Sequence, residues 1–384
     1  WLETTKTIDY KIGRIKKKKK GIYEITFKRL GTMQMPIDFT VIDRNDSALH
    51  YQIPNTWFEK PTWAKPLPRW IGWGPKLKTT YTATINVGSK INNVIIDPSY
   101  RLADVNMMNN RKRNRVDVKF DSHIYNPPNW KQYDMRVRPA LWYNGYDGVK
   151  AGVHLNGNYL GVKHVFDLTA WFSTGLGQSY LDSVTKAISS INSYNPISVL
   201  FNYKTSTNKF MKRSNFYLQL RSVDGLDGGT IGFERKSNND KTRFYTHYKA
   251  MLRDLPQDMV YLINRDHWGY QKFNSTMHVG IEHNYRYKKG TGNINLNFRS
   301  SAFTQDYDFS AITLNVVNKN DLGKININTR LFGQAGFGNN IPLESALYVA
   351  GANNEELMDN KYTRSMGIIP PEFGGFGNTT NHFT

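Results

Sequence analysis

Few residues in this sequence combine the types and the spacing that catalysis requires. The densest group is a run in which His278 and His283 flank Glu282, and imidazoles with a carboxylate could bind a metal or transfer a proton. On a β-strand, however, an odd spacing sends the two histidines to opposite faces. The His-Glu-x-x-His, Gly-x-Ser-x-Gly and phosphate-loop motifs are also absent from the sequence. Residue types and spacing therefore identify no catalytic or metal-binding residue in this chain.

Polar side chains instead recur at every second position in segments whose other positions are apolar. Residues 293–299, for example, alternate Asn and Arg with Ile, Leu and Phe. On a strand this period gathers the polar side chains on one face, and we expect that face to line a water-filled interior. There an acidic residue such as Glu282 would pair with an arginine rather than perform acid–base catalysis. The candidate interior residues are Arg138, His154, Asn156, Glu282, Asn295, Arg299, Asn315 and Arg330.

The alternating segments follow one another from Met135 to Gly333 and predict about eleven antiparallel strands. Short turns and long connections alternate between them, as in outer-membrane barrels. The short turns are expected at residues 159–163, 237–240, 288–291 and 318–323, and the long connections at 174–195, with a helix-like stretch at 181–191, and at 253–275. The pattern favours a transmembrane antiparallel β-barrel over residues 135–384, with Leu155, Leu296 and Leu314 facing lipid.

The predicted strand count has a consequence for closure. Eleven is odd, whereas single-chain bacterial barrels have even strand numbers, and an open edge cannot satisfy its backbone groups in lipid. We therefore expect the barrel to be incomplete at Thr384, with about five further strands beyond it. The last of these should pair with the strand at residues 135–143. The opening at Trp1, without an initiator Met, likewise suggests a piece of a longer precursor.

The sequence before the barrel has a different character. Residues 1–110 contain short β-branched and aromatic segments separated by turns, which predict a small β-sandwich. Residues 111–134 are expected to form a linker with one strand at 116–124. The fold class is therefore all-β throughout.

Composition agrees with this division. Aromatic residues make up 14% of the chain and there is no cysteine, which excludes disulfides, Cys-ligated zinc and thiol catalysis. The net charge is +20, and much of it lies in residues 16–20 and 111–115. A patch that binds a polyanion or anionic lipid is one interpretation of the first run, but the strand-like sequence around it favours a solvated hairpin tip. No nucleic-acid partner is predicted.

Two segments resemble known families. Residues 1–110 resemble the part that follows the catalytic domain in aminopeptidase N-type zinc metallopeptidases. Residues 135–384 are similar to the surface-antigen barrels of the BamA and two-partner-secretion superfamily. The sequences that carry the first resemblance are WLETT at 1–5, GTMQMPID at 31–38, IIDP at 95–98, LAD at 102–104 and Asn109-Asn110; the second rests on RPALWYNGYDG at 138–148, IPLESALY at 341–348 and NTTNHF at 378–383.

Bacteroidetes-type envelope proteins join these two parts in this order. The resemblance implies an outer-membrane anchor and supporting β-domain for a periplasm-facing zinc aminopeptidase. Its zinc, bound upstream of Trp1, would activate the water that attacks the N-terminal peptide bond. The resemblance also implies a barrel of about sixteen strands, with a connection after Gly333 that folds back into the interior. A Gly-rich segment soon after Thr384 would end in Arg-Gly-Tyr or Arg-Gly-Phe, and the remaining strands would follow it. The implied partners are outer-membrane lipid, the upstream peptidase domain and other outer-membrane proteins.

The sequence departs from both families at their defining motifs. The zinc motif, the peptidases' Gly-x-Met-Glu-Asn motif and the barrels' Arg-Gly-Tyr motif are absent, so no catalytic, cofactor or metal residue can be transferred to this chain. Two alternatives stay open. One is an outer-membrane polypeptide transport or assembly barrel with a non-catalytic peptidase-like scaffold, and the other is a soluble polyanion-binding β-protein.

Overall fold

The structure is a computed structural model of the 384-residue chain. It describes residues 5–55, 62–70, 78–122, 127–144, 148–177, 195–223, 225–253, 271–303, 306–342 and 345. Two compact units are present, one comprising residues 1–118 with 125–135 and the other residues 119–124 with 136–384. The predicted linker, residues 111–134, is thus divided between the two units.

The first unit contains two small sheets. The strands of one, in spatial order, are β1 (Tyr10–Lys19), β2 (Ile22–Arg29) and β6 (Thr80–Asn86). The strands of the other are β5 (Lys65–Pro66), β4 (Ala48–Ile53), β3 (Ile37–Asp43) and β7 (Ile91–Ile96). The basic run 16–20 lies on exposed positions at the end of β1 and in its turn to β2, so the prediction of a hairpin tip is confirmed.

One hydrophobic core joins these two sheets into a sandwich. Alternate residues of β2 and β3 point inward, and Phe27 of β2 packs on Phe39 of β3 with ring centroids 4.7 Å apart. The segment after β7 closes one edge of this core through Asp104. Its buried carboxylate accepts hydrogen bonds from the Tyr10 backbone N–H at 3.0 Å and from the Asn110 side-chain amide at 3.1 Å. Burial raises the pKa of Asp104.

The second sheet system is a single twelve-stranded sheet whose spatial order follows the chain. Every neighbouring pair from β10 to β19 is antiparallel. Its strands are β8 (Val116–Phe120), β9 (Tyr133–Asn144), β10 (Gly148–Tyr159), β11 (Lys163–Ser173), β12 (Ile197–Ser206), β13 (Ser214–Val223), β14 (Leu226–Lys236), β15 (Thr242–Arg253), β16 (Phe273–Tyr287), β17 (Gly290–Ser301), β18 (Asp308–Asp321) and β19 (Asn326–Asn340).

The all-β fold and the eleven strands after residue 133 confirm the prediction from alternation. The strand expected within residues 116–124 forms β8, the edge of the same sheet. Several predicted boundaries were wrong. β18 continues to Asp321 and β19 continues through Gly333 to Asn340, while β16 begins at Phe273 and β17 at Gly290, inside segments predicted to be connections. The helix-like stretch at 181–191, residues 254–270 and residues 346–384 lie outside the described residues. No helix in the described part of the chain is long and apolar enough to cross a membrane.

Candidate functional site: the polar face of the twelve-stranded sheet

The two faces of the twelve-stranded sheet differ in polarity. Directly opposed residues of neighbouring strands lie on the same face, so the register assigns each side chain to a face. Leu155 opposes Leu168, and Leu296 opposes Leu314, on what we call the apolar face. Its exposed large side chains are Val153, Phe172, Ile197, Leu220, Ile231, Phe233, Phe244, Met277, Val279, Ile294, Leu296, Phe298, Ile312, Leu331 and Phe337.

The opposite face, which we call the polar face, has the reverse character. Its buried polar side chains include Lys150, His154, Thr169, Arg221, Glu234, Lys249, Asn274, Thr276, His278 and Arg299. A soluble sheet buries its apolar side chains and exposes its polar ones, because unpaired polar groups are costly to remove from water. The sheet therefore has a polarity opposite to that of a soluble β-protein.

A network of ion pairs crosses the centre of the polar face. Glu234 on β14 accepts hydrogen bonds from Lys204 on β12 at 2.6 Å and from Arg243 on β15 at 3.1 Å. The same Arg243 donates from Nε to Oε2 of Glu282 on β16 at 2.8 Å. The other oxygen of Glu282 accepts the Asn293 side-chain amide at 2.8 Å. Charged groups of alternating sign thus link β12, β14, β15 and β16, and the neutral amide of Asn293 extends the network to β17. Glu282 has the arginine partner that the sequence predicts.

A second polar cluster lies near the β8 edge. Arg138 Nε donates to Nδ1 of His154 at 3.0 Å, and His154 Nε2 lies 2.6 Å from Oδ2 of Asp167. Because Nδ1 accepts a hydrogen bond from the Arg138 guanidinium, Nε2 carries the ring proton and donates a hydrogen bond to Asp167. Asn156 donates to Asp121 at 3.3 Å beside them. Both His154 nitrogens are engaged by neighbours, so we assign this histidine a structural role.

Part of the chain after β19 also reaches the polar face. Ser345 is buried, and its carbonyl oxygen accepts a hydrogen bond from Arg299 Nη2 at 2.6 Å. Its hydroxyl accepts the Asn274 side-chain amide at 3.4 Å. The segment that brings Ser345 there begins after Asn340, rather than after Gly333 as expected, because β19 is longer than predicted.

The candidate interior residues all lie on the polar face. The register places His154, Asn156, Glu282, Asn295, Arg299, Asn315 and Arg330 there, and the contact with His154 places Arg138 beside them. They form separate pairs rather than one site. Arg330, for example, donates to Asn315 at 2.8 Å, and Tyr245 donates to Asn295 at 3.1 Å.

Sequence reasoning missed several residues that organise this face. Lys204, Glu234 and Arg243 form its central network, and Asp167 orients His154. Period-two alternation could have placed Glu234 on the polar face, because its neighbours Phe233 and Arg235 lie on the apolar face. Which arginine pairs with which acid depends on the register, however, and a single sequence does not specify the register.

The described residues offer no fit for a zinc ion. Nowhere within them do three or more His, Asp or Glu side chains converge in a group that could hold a metal. The flanking histidines of Glu282 are separated as expected, with His278 on the polar face opposite His247 and His283 on the apolar face opposite Thr242. Comparisons with protein-family models, curated proteins and solved structures found no match for the chain.

Proposed function

We propose that strands β9 to β19 of the twelve-stranded sheet are the membrane-embedded part of an outer-membrane β-barrel that anchors the N-terminal sandwich at the bilayer. The single observation that supports the proposal best is the reversed polarity of the sheet. A broad apolar face is stable in contact with lipid but not in contact with water. The polar interior of a barrel can solvate the charged side chains of the opposite face. An apolar face of this extent is otherwise a surface for association or aggregation.

Strand length agrees with this proposal. A tilted transmembrane strand needs about 9–11 residues to cross the hydrocarbon layer. Strands β12 and β13 have 10 residues each, β11 and β14 have 11, and β16 and β19 reach 15. Every strand from β9 onward is therefore long enough to cross a bilayer, whereas strands of soluble sheets average about 5–6 residues.

The anchored activity that we propose is a zinc aminopeptidase facing the periplasm. This part rests on the resemblance of residues 1–110, and the sandwich would be the domain that supports the catalytic part. The zinc ligands and the general base would belong to a segment before Trp1. This chain would then position the catalytic part. The sandwich would lie on the periplasmic side, because it precedes the first strand of the sheet and the N-terminus of the barrel is periplasmic in the superfamily that residues 135–384 resemble.

Membrane extraction tests the anchor. The protein should stay in the membrane pellet after alkaline carbonate extraction and require detergent for release. Release into the carbonate supernatant would contradict the anchor and favour the soluble β-protein. Antibody capture of the native envelope protein then tests the enzyme, since the captured protein should hydrolyse aminoacyl-nitroanilides and lose that activity to a chelator. Captured protein without activity, but with peptide-sensitive conductance in planar bilayers, would favour the transport barrel.

A further inference from the structure

An open groove lies on the apolar face at the end of the sheet that carries the β12–β13 and β14–β15 turns. Its volume is about 1040 Å³, and its apolar walls include Tyr203, Phe216, Phe233, Phe244 and Val279. These residues belong to neighbouring strands β12 to β16 and share the apolar face. The groove is therefore continuous with the surface that we propose to face lipid.

The turn between β12 and β13 forms one wall of this groove. Phe210 and Met211 line it, and Phe210 is 91% exposed. Hydrogen bonds fix the turn, since the backbone N–H of Arg213 donates to the Asn208 side chain at 2.8 Å and Arg213 Nη1 donates to the Ser237 carbonyl at 3.0 Å. The exposed aromatic ring is thus held beside the groove by a structured turn.

Three cations belong to the segments that form the groove. Lys209 and Lys212 flank the Phe210-Met211 pair in sequence, and Arg235 lines the groove itself, as does Glu234, which pairs with Lys204 and Arg243. Arg235 lies on the apolar face opposite Phe244, where an unpaired guanidinium in lipid is costly unless an anion or the interface receives it. None of the three forms an ion pair with another described residue, whereas Arg213 beside them pairs with Asp240 at 3.2 Å.

The whole turn end of the sheet has the same charge bias. The described short connections at this end contain one acidic residue, Asp240. Their basic residues are Lys209, Lys212, Arg213, Lys241, Lys288, Lys289 and Lys324. An apolar surface that ends in basic residues with an exposed aromatic matches the boundary between acyl chains and anionic headgroups. A protein partner would have to supply both a long apolar segment and clustered acids.

We propose that this groove binds an anionic phospholipid. Its acyl chains would lie along Phe216, Phe233 and Phe244, and its phosphate would pair with Arg235, Lys209 and Lys212. The inference rests on the proposed function, because the groove meets lipid only if the apolar face lies in a bilayer. It adds a specific lipid site to a surface that otherwise contacts lipid without selectivity.

The test uses the full chain reconstituted in phosphatidylcholine nanodiscs that contain phosphatidylglycerol as the probe lipid. The protein is released from the nanodiscs, and native mass spectrometry measures how much phosphatidylglycerol stays bound to it. The variant Lys209→Gln/Lys212→Gln/Arg235→Gln should retain about tenfold less phosphatidylglycerol. The control Lys288→Gln/Lys289→Gln/Lys324→Gln removes equal charge at the same end outside the groove and should stay within about twofold of the parent. Val279→Trp should reduce retention by filling the groove, while Ile312→Trp on the same face should not.

The outcomes separate the two proposals. If both charge variants lose lipid equally, or neither does, the groove is not a specific lipid site, although the sheet can still be membrane-embedded. If a photo-reactive residue at position 210 cross-links two copies of the chain and no lipid is retained, the groove binds a second copy of the chain rather than a phospholipid. If the parent protein leaves membranes on carbonate extraction, the proposed function itself fails. Phosphatidylglycerol retention is measured only for variants that stay in the membrane pellet after carbonate extraction.

Discussion

Arg243 on β15 donates two hydrogen bonds to the same carboxylate oxygen of Glu282 on β16, from Nε at 2.8 Å and from Nη2 at 2.5 Å. The same guanidinium also reaches Glu234, so one arginine neutralises two acids on the polar face. Glu234 is nearly buried, whereas Arg243 and Glu282 are 37% and 23% exposed, so water partly reaches this polar face. The water-filled interior of the proposed barrel would provide such a surrounding.

Removing Glu234 should therefore destabilise the sheet. Glu234→Leu leaves Lys204 and Arg243 without their shared partner, and because these two side chains are 52% and 37% exposed, water screens them and the cost should be about 1–2 kcal/mol. Urea unfolding of the protein in detergent micelles measures the change. Asp240→Asn breaks the exposed pair with Arg213 and should cost about 0–1 kcal/mol. Equal effects of the two substitutions would show that the central network is not buried.

Arginine should be tolerated on one face of the sheet and not on the other. Leu296→Arg and Leu314→Arg place a charge on the apolar face, where mid-bilayer arginine costs about 2–4 kcal/mol. Asn295→Arg and Asn315→Arg place it on the polar face and should cost much less, apart from the hydrogen bonds with Tyr245 and Arg330. Folding yield in lipid vesicles gives the comparison. A similar loss for all four variants would argue against a lipid-facing surface.

The orientation of the sheet predicts which segments a protease reaches from outside the cell. Residues 174–195 and 253–275 should be cut on intact cells, because these two longest connections join β11 to β12 and β15 to β16 at the same end of the sheet, and the longer loops of outer-membrane barrels are extracellular. The exposed lysines 16–20 at the β1–β2 tip should be cut only after the envelope is opened. Cleavage at 16–20 on intact cells, with both long connections spared, would reverse the topology.

The sandwich core should respond to truncation independently of the membrane. Phe39 is buried against Phe27 and Tyr51, so Phe39→Ala should cost about 3–5 kcal/mol of local stability. Leu30 is about half exposed, and Leu30→Ala should change little. Limited proteolysis of the full chain, with cleavage followed in residues 5–118, measures both. If Phe39→Ala leaves that cleavage rate unchanged, the two sheets do not share a core.

The sequence predicted the parts of this molecule that depend on local periodicity. Alternation identified eleven strands and the faces of residues such as Leu296 and Asn295, because period two depends only on the chain itself. The ends of β18 and β19 were wrong, since the polar and glycine residues 318–321 and 333–340 look like turns but pair across the sheet. The Glu234–Arg243 pair was missed because it depends on how neighbouring strands align.

Accessibility of single spin labels tests the lipid-facing surface most directly, and the absence of cysteine from the chain makes single-site labelling straightforward. Leu296→Cys and Leu314→Cys, each carrying a nitroxide, should collide readily with dissolved oxygen and poorly with a water-soluble nickel chelate in reconstituted vesicles. Asn295→Cys and Asn315→Cys should show the opposite preference, because they lie on the polar face. Labels at all four positions with equal access to the nickel chelate would contradict a membrane-embedded sheet.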